Sequence, residues 1–199
     1  MTQTGQPSRT RLLLSARKLF ADQGYEGTST ASIARAAGTS ESQLIKHFGG
    51  KAGLLDSIFV DGWTTLTAHL EQSLAATSSP IDRLRIIPRL MFDELERDPE
   101  LRQLLLLEGR RIRKEGRLAT LTDGFIGFVK LVDATLDDMR AAGQLRTDLN
   151  PQAIRSALIG LTEGALRDQL LSERAGHPSE FTVENIGTLV DALVQSIAA

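Results

Sequence analysis

The chain is expected to fold as an all-α protein of about nine helices. Two observations predict this. Apolar residues recur at intervals of three and four almost from end to end, the spacing that gathers them on one face of a helix. No stretch alternates apolar and polar residues between turn signals, as a half-buried strand would.

The elements follow in order. Leu12, Ala16, Leu19 and Phe20 mark a first helix, opened by Pro7-Ser8 and closed near Gly24. Two short helices are expected over 30–37 and 41–48, and a long one from Lys51 to about Thr77. Pro80 starts the next, and Asp98-Pro99 divides it from a sixth that breaks at Gly116. A seventh runs to about Ala142, and "GQLRTDLNP" (143–151) forms a loop. Pro151 suits the first turn of the eighth helix, because its fixed φ is helical and its missing N–H would be unpaired there anyway. After the loop "ERAGHPSE", Thr182 can cap a last helix. No internal repeat or low-complexity segment interrupts the series.

The chain has 199 residues, enough for one large domain or two small ones. Its net charge is −2, but the charge is uneven. Residues 1–55 hold seven Lys and Arg against three acids, a net +4, which leaves −6 for the rest. A basic end on an acidic remainder suits a polyanionic partner at that end. There is no cysteine, which excludes disulfides and thiolate metal sites. The first residues, "MTQTGQPSRTR", are too polar for a secretory signal. The longest apolar run, "LLLL" at 104–107, is too short to span a membrane. A cytoplasmic location, with no membrane, is the expectation.

The stretch "TASIARAAGTSESQLIKHFGGK" (30–51) carries the most information. Ser29 can cap the first short helix, with Ile33, Ala34 and Ala37 on one face. Gly38 suits the left-handed residue that ends it, and Ser40 can cap the second. There Leu44 and Phe48 lie one turn apart. With these two inward, Ser42 and Lys46 point most directly away, flanked by Gln43 and Ile45. The second helix thus has a narrow anchoring edge and a wide free face. That is what a helix seated in the major groove needs: support from behind, and donors presented to bases and phosphates. A helix–turn–helix supplies this geometry. Spacing alone leaves open an ordinary helical hairpin with a solvated face.

"GYEGTSTASIARAAGTSESQLIKHFGGKAGLLDSIF" (24–59) resembles the DNA-binding region of the tetracycline-repressor (TetR) family. The features are the Gly24-Tyr25 turn before Thr28-Ser29, Ile33-Ala34 in mid-helix, the Ala37-Gly38 turn and Ser40 at the recognition helix. His47-Phe48, Lys51 and Leu54-Leu55 complete the pattern. The resemblance covers about 50 residues with the first helix, and does not extend to 60–199. This chain departs from the family where sequence is read: Ile45 stands where Tyr is usual, Glu41 where Lys is frequent, and Ser42 where a glycine is frequent. Gly49-Gly50 precedes Lys51 in place of the family's usual pair.

The resemblance implies a TetR-type transcription regulator that binds a palindromic operator in double-stranded DNA as a homodimer and is released by a small-molecule effector, a repressor with no cofactor. It implies a DNA-binding domain over 1–52 and a ligand-binding and dimerisation domain over 53–199. Ser42, Gln43 and Ile45 would face base edges. Thr30, Thr39, Ser40, Lys46, His47 and Lys51 would contact phosphates. Candidates for an effector pocket are Trp63, Phe92, Leu95, Leu105, Glu108, Phe125, Phe128 and Arg167. The apolar ones serve equally as ordinary core, and Glu108 with Arg111 as a surface ion pair. A chain this poor in histidine, with no cysteine, argues against a transition-metal ligand.

The last two helices are apolar on more than one side, so each needs two packing partners. Ile154, Leu158, Leu161 and Ala165 form one stripe of the eighth, and Ala157, Gly160, Gly164 and Leu171 another. In the ninth, Ile186, Val190 and Leu193 lie on the apolar face. Pairs from two chains would make a four-helix interface about a two-fold axis. The alternative is that both helices lie in the core of one chain.

An enzyme has few parts here. His47, His69 and His177 are the only histidines, and no G-x-S-x-G, H-E-x-x-H or G-x-G-x-x-G occurs. An all-α carboxylate enzyme and a regulator controlled by a protein partner are the two alternatives.

Overall fold

The computed structural model describes residues 6–108, 122–176 and 182–199. Among them are nine helices: α1 (Ser8–Gly27), α2 (Thr30–Ala36), α3 (Glu41–Phe48), α4 (Lys51–Leu74), α5 (Pro80–Arg97), α6 (Pro99–Glu108), α7 (Asp123–Ala141), α8 (Pro151–Ala175) and α9 (Val183–Ile197). The all-α class is as the periodicity predicts. The break expected at Gly116 lies outside the described residues.

Packing divides the chain into two compact units. The first is Met1–Gly62 with Pro99–Thr122, and the second is Trp63–Asp98 with Asp123–Ala199. The sequence reading draws one boundary, at 52–53. The units part after Gly62, and the first also takes in α6.

In the first unit α1 is the support. Its Leu12, Ala16 and Phe20, four apart, are fully buried, and α1 packs against α2, α3 and α6. The helix passes Gly24, where φ is +76°, and resumes for a turn to Gly27. That glycine makes a break inside the element where the sequence suggested its end. Thr28 is 1 % exposed, and its hydroxyl donates to the carbonyls of Leu19 and Gly24 at 3.2 and 2.8 Å. α6 is fastened by Gln103, whose amide donates to the Ala21 carbonyl at 2.6 Å. A side chain at Gly62 would meet the tip of the Leu101 side chain of α6 at 2.3 Å, so that leucine would have to swing aside to admit it.

In the second unit α5 is the centre, packed against α7, α8 and α9. Leu84, Ile87, Phe92 and Leu95 of α5 are buried with Phe128, Val132 and Leu136 of α7 and Val190 and Val194 of α9. α8 buries one stripe at four-residue spacing, Ile154, Leu158, Thr162 and Leu166. Asn150 caps α8, accepting from the amides of Gln152 and Ala153. Thr182 and Asn185 form a capping box at the start of α9.

The loop after α7 is tied to the end of α9. The Arg146 amide donates to the Ile197 carbonyl at 3.0 Å, and its guanidinium reaches the Ser196 carbonyl and Asp148. The hydrogen bond from Arg146 holds the Asp148 carboxyl below its usual pKa. A carboxylate lowered on folding stabilises the fold above its unfolded pKa and loses that contribution as pH falls through the folded value. In Arg146→Ala the loop should therefore lose its acid sensitivity below the ordinary carboxylate range, measurable as amide exchange at residues 144–148.

Candidate nucleic-acid interface

Two local devices build the two short helices. Ser29 caps α2, accepting from the Ser32 amide at 3.1 Å, while the Ser29 amide donates to the Ser32 hydroxyl at 3.2 Å. Gly38, at φ +60°, turns the chain, and the Thr39 amide donates back to the Ala34 carbonyl at 3.0 Å. Ser40 then caps α3, accepting from the Gln43 amide at 3.3 Å. Satisfying these first N–H groups is what lets helices of two turns persist at all.

Leu44 is fully buried and Phe48 is 9 % exposed, and both hold α3 on the body of the unit. Ser42 and Lys46 are exposed, Gln43 is half-buried, and Ile45 is 58 % exposed. This bare apolar side chain sits on the free face read from the sequence.

The remaining expected contact residues divide by what already engages them. Ser40 is exposed beside its cap. Thr39 is half-buried at the turn. The Thr30 hydroxyl donates to Glu41 Oε2 at 2.6 Å. His47 Nε2 lies 2.9 Å from the Ser8 hydroxyl, which links α3 to the first residue of α1. Lys51 is turned inward: its ammonium donates to the carbonyls of Tyr25 and Thr28 at 2.9 and 3.0 Å and lies 4.2 Å from the Tyr25 ring centre. This lysine fastens the start of α4 to the end of α1.

The sequence reading misses two positioning residues. Arg11 donates through Nε to the Ala37 carbonyl at 2.9 Å and through Nη2 to Gly38 at 3.3 Å. It clamps the turn between α2 and α3 from α1, and no motif signals it. Gly53 is the other: a Cβ there would sit 1.9 Å from the Phe48 carbonyl oxygen. The first turn of α4 thus runs against the last backbone of α3.

In the second unit the expected pocket residues do not assemble as one lining. Trp63, Phe125 and Phe128 form an aromatic cluster, with Trp63 stacked on Phe128 at 5.2 Å and edge-on to Phe125 at 5.0 Å. Phe92 and Leu95 are buried in the core of this unit, Leu105 belongs to the first unit, and the side chain of Glu108 lies outside the described residues. Arg167 is half-buried on α8. A small apolar cleft lies among α5 (Leu84, Ile87, Pro88, Met91), α7 (Phe128, Val132) and α8 (Leu158, Ile159, Thr162). Only Phe128 is common to the cleft and the expectation.

The expected dimer residues also divide. Ala157, Gly160, Gly164 and Leu171 are exposed on α8, with open space around both glycines. On α9, Ile186 and Val190 are 3 and 1 % exposed, packed into the protomer's own core. Leu193 is half-buried, and Leu189 is 58 % exposed. Among the described residues no helix is long and apolar enough to cross a membrane.

A clamped turn, a capped second helix on a buried edge, and an outward face of Ser, Gln, Ile and Lys together define a helix–turn–helix DNA-binding protein. Residues 12–58 match the model of the bacterial regulatory proteins of the tetR family. Residues 12–58 thus carry a DNA-binding region of the tetR type. The HTH-type transcriptional regulator UidR of Escherichia coli K12 is 24% identical over 172 residues, 84% of each chain. Among solved structures, the transcriptional regulator FadR from Bacillus subtilis in complex with stearoyl-CoA has a TM-score of 0.78 at 17% identity, covering 94% of this chain and 95% of that one. SmeT, the repressor of a Stenotrophomonas maltophilia multidrug efflux pump, has a TM-score of 0.76 at 21% identity, covering 98% and 92%. At these identities the two structures establish the fold.

Proposed function

We propose that this chain is a homodimeric repressor that binds a two-fold symmetric operator and is released by a small, largely apolar molecule in the cleft of its second unit. The observation that carries the DNA-binding part is the bare face of α3, with Ile45 and Lys46 exposed above buried Leu44 and Phe48. Ser42, Gln43 and Ile45 read base edges, Ile45 through thymine methyls. Lys46, Ser40 and Thr39 meet phosphates, which position the helix without reading sequence. His47, Thr30 and Lys51 act chiefly by holding the reading helix in place, since each already engages a partner within the unit.

The effector part is supported by the apolar cleft and by relatives of similar fold, one of them solved with stearoyl-CoA. A ligand shifts operator binding only by its unequal affinity for the two states of the protein. Dimerisation through α8 and α9 is supported by Leu171 and Leu189, which a protomer alone leaves bare.

Selection from a random duplex library tests the proposal: the full chain should enrich a palindrome with half-sites one helical turn apart, about 34–36 Å, or a multiple of it. Recovery of no motif would sink it. Lys46→Ala should lower affinity for specific and unrelated duplexes alike. The slope of log affinity against log salt should fall by about 0.9 per half-site. Filling the cleft with Ile159→Trp should abolish the effector response and leave operator affinity within about twofold, as a truncated pocket excludes the ligand without touching α3.

A further inference from the structure

We infer that Glu41, held by Thr30, makes the reading face specific for cytosine, its carboxylate accepting from the exocyclic amine in the major groove. This rests on the DNA-binding reading above and names a base which that reading leaves open. Glu41 is the first residue of α3, is exposed, and lies one turn before the exposed Ile45. Its Oε2 accepts from the Thr30 hydroxyl at 2.6 Å, so the first residue of α2 fixes the carboxylate. Among the described residues this is the carboxylate's one hydrogen bond, and Oε1 remains for a donor outside the chain.

An ionised carboxylate accepts and never donates, and phosphate repels it. In the major groove only cytosine N4 and adenine N6 offer donors. Guanine presents N7 and O6, and thymine O4, each a lone pair against the carboxylate. The adenine amine lies between two acceptors, its own N7 and the paired thymine O4. The cytosine amine has an acceptor on one side only, with a C–H edge on the other, so cytosine is the base that admits the carboxylate best. With Oε2 held by Thr30, the group enters the groove in one orientation and loses less rotamer freedom on binding. Glu41 thus weakens contact with every duplex and recovers it only where cytosine stands.

The test runs the duplex selection on the full chain as wild type, Glu41→Gln, Glu41→Ala, Thr30→Val and Thr30→Ser. Anisotropy at one fixed salt concentration then compares duplexes carrying each base at the position whose preference changes. Wild type should favour cytosine there about tenfold over guanine or thymine, the worth of one net hydrogen bond to a charged group. Glu41→Gln should move the preference to adenine in both half-sites, because an amide donates to N7 and accepts from N6. Glu41→Ala should discriminate less than about twofold and bind unrelated duplexes more tightly, as a negative charge has left the DNA face. Thr30→Val should cut the preference to about threefold or less, and Thr30→Ser should restore it. Helix content and melting temperature check that each variant folds. Motifs of the two Glu41 variants that match the wild type's overturn the inference and leave the operator reading intact. So does a wild-type preference for another base at that position, or a cytosine preference that survives Thr30→Val. A wild-type chain that enriches no motif fails the operator reading itself, and the role of Glu41 falls with it.

Discussion

Phe48→Ala is expected to abolish operator binding and to destabilise the first unit by about 3–5 kcal/mol, the usual cost of emptying a buried aromatic site. Phe48 closes α3, lies edge-on to His47 at 6.1 Å, and carries the Arg9 guanidinium over its ring at 5.3 Å. Removing the ring takes away one of the two buried side chains that fix the helix, and leaves Leu44 alone to hold it. Chemical denaturation followed by helix content should show the loss. Fluorescence anisotropy with the selected palindrome should show no binding at concentrations that saturate the wild type. If Phe48→Ala kept wild-type affinity, α3 would not be the reading helix.

The second large effect is expected at Gly164. Gly164→Glu should leave the protomer folded, with stability within about 1 kcal/mol, because the position is exposed, has open space around it, and gains helix propensity. It should nevertheless abolish the dimer, since a carboxylate would be buried in the facing surface without a partner. Tight operator binding should go with it, because a single half-site supplies only part of the contacts. Sedimentation velocity gives the answer, and a variant that still ran as a dimer would put the interface elsewhere. Ile186→Glu is a poor substitute test: it places a charge in the protomer's own core and would unfold the unit.

The helices and the reading unit were legible for a shared reason. Caps such as Ser29, Ser40, Asn150 and Thr182 act within three residues of themselves, so local sequence carries their whole effect. A helical wheel also divides buried Leu44 and Phe48 from exposed Ser42 and Lys46. It does not say which partner lies across the gap. The Arg11 clamp spans 26 residues and the Ser8–His47 contact 39, and neither leaves a local trace. Lys51 shows the limit, as a family position names a residue type while the fold decides where its ammonium points. Ile186 and Val190 show another. A helix apolar on two sides announces two partners, without saying which side belongs to the protomer. The cleft was the least legible, because Leu84, Val132 and Leu158 look in sequence like any other core residue.

The contact at Gly53 bears on how this protein can change over generations. Every other amino acid has a Cβ, and the Phe48 carbonyl already fills its place. No neighbouring side chain can yield to make room, since the obstruction is backbone. Ser42 and Ile45, by contrast, stand in solvent and can be exchanged without disturbing anything beneath them. A lineage descending from this chain can therefore change the word it recognises at little cost, while any change at 53 must also move the backbone where α3 meets α4.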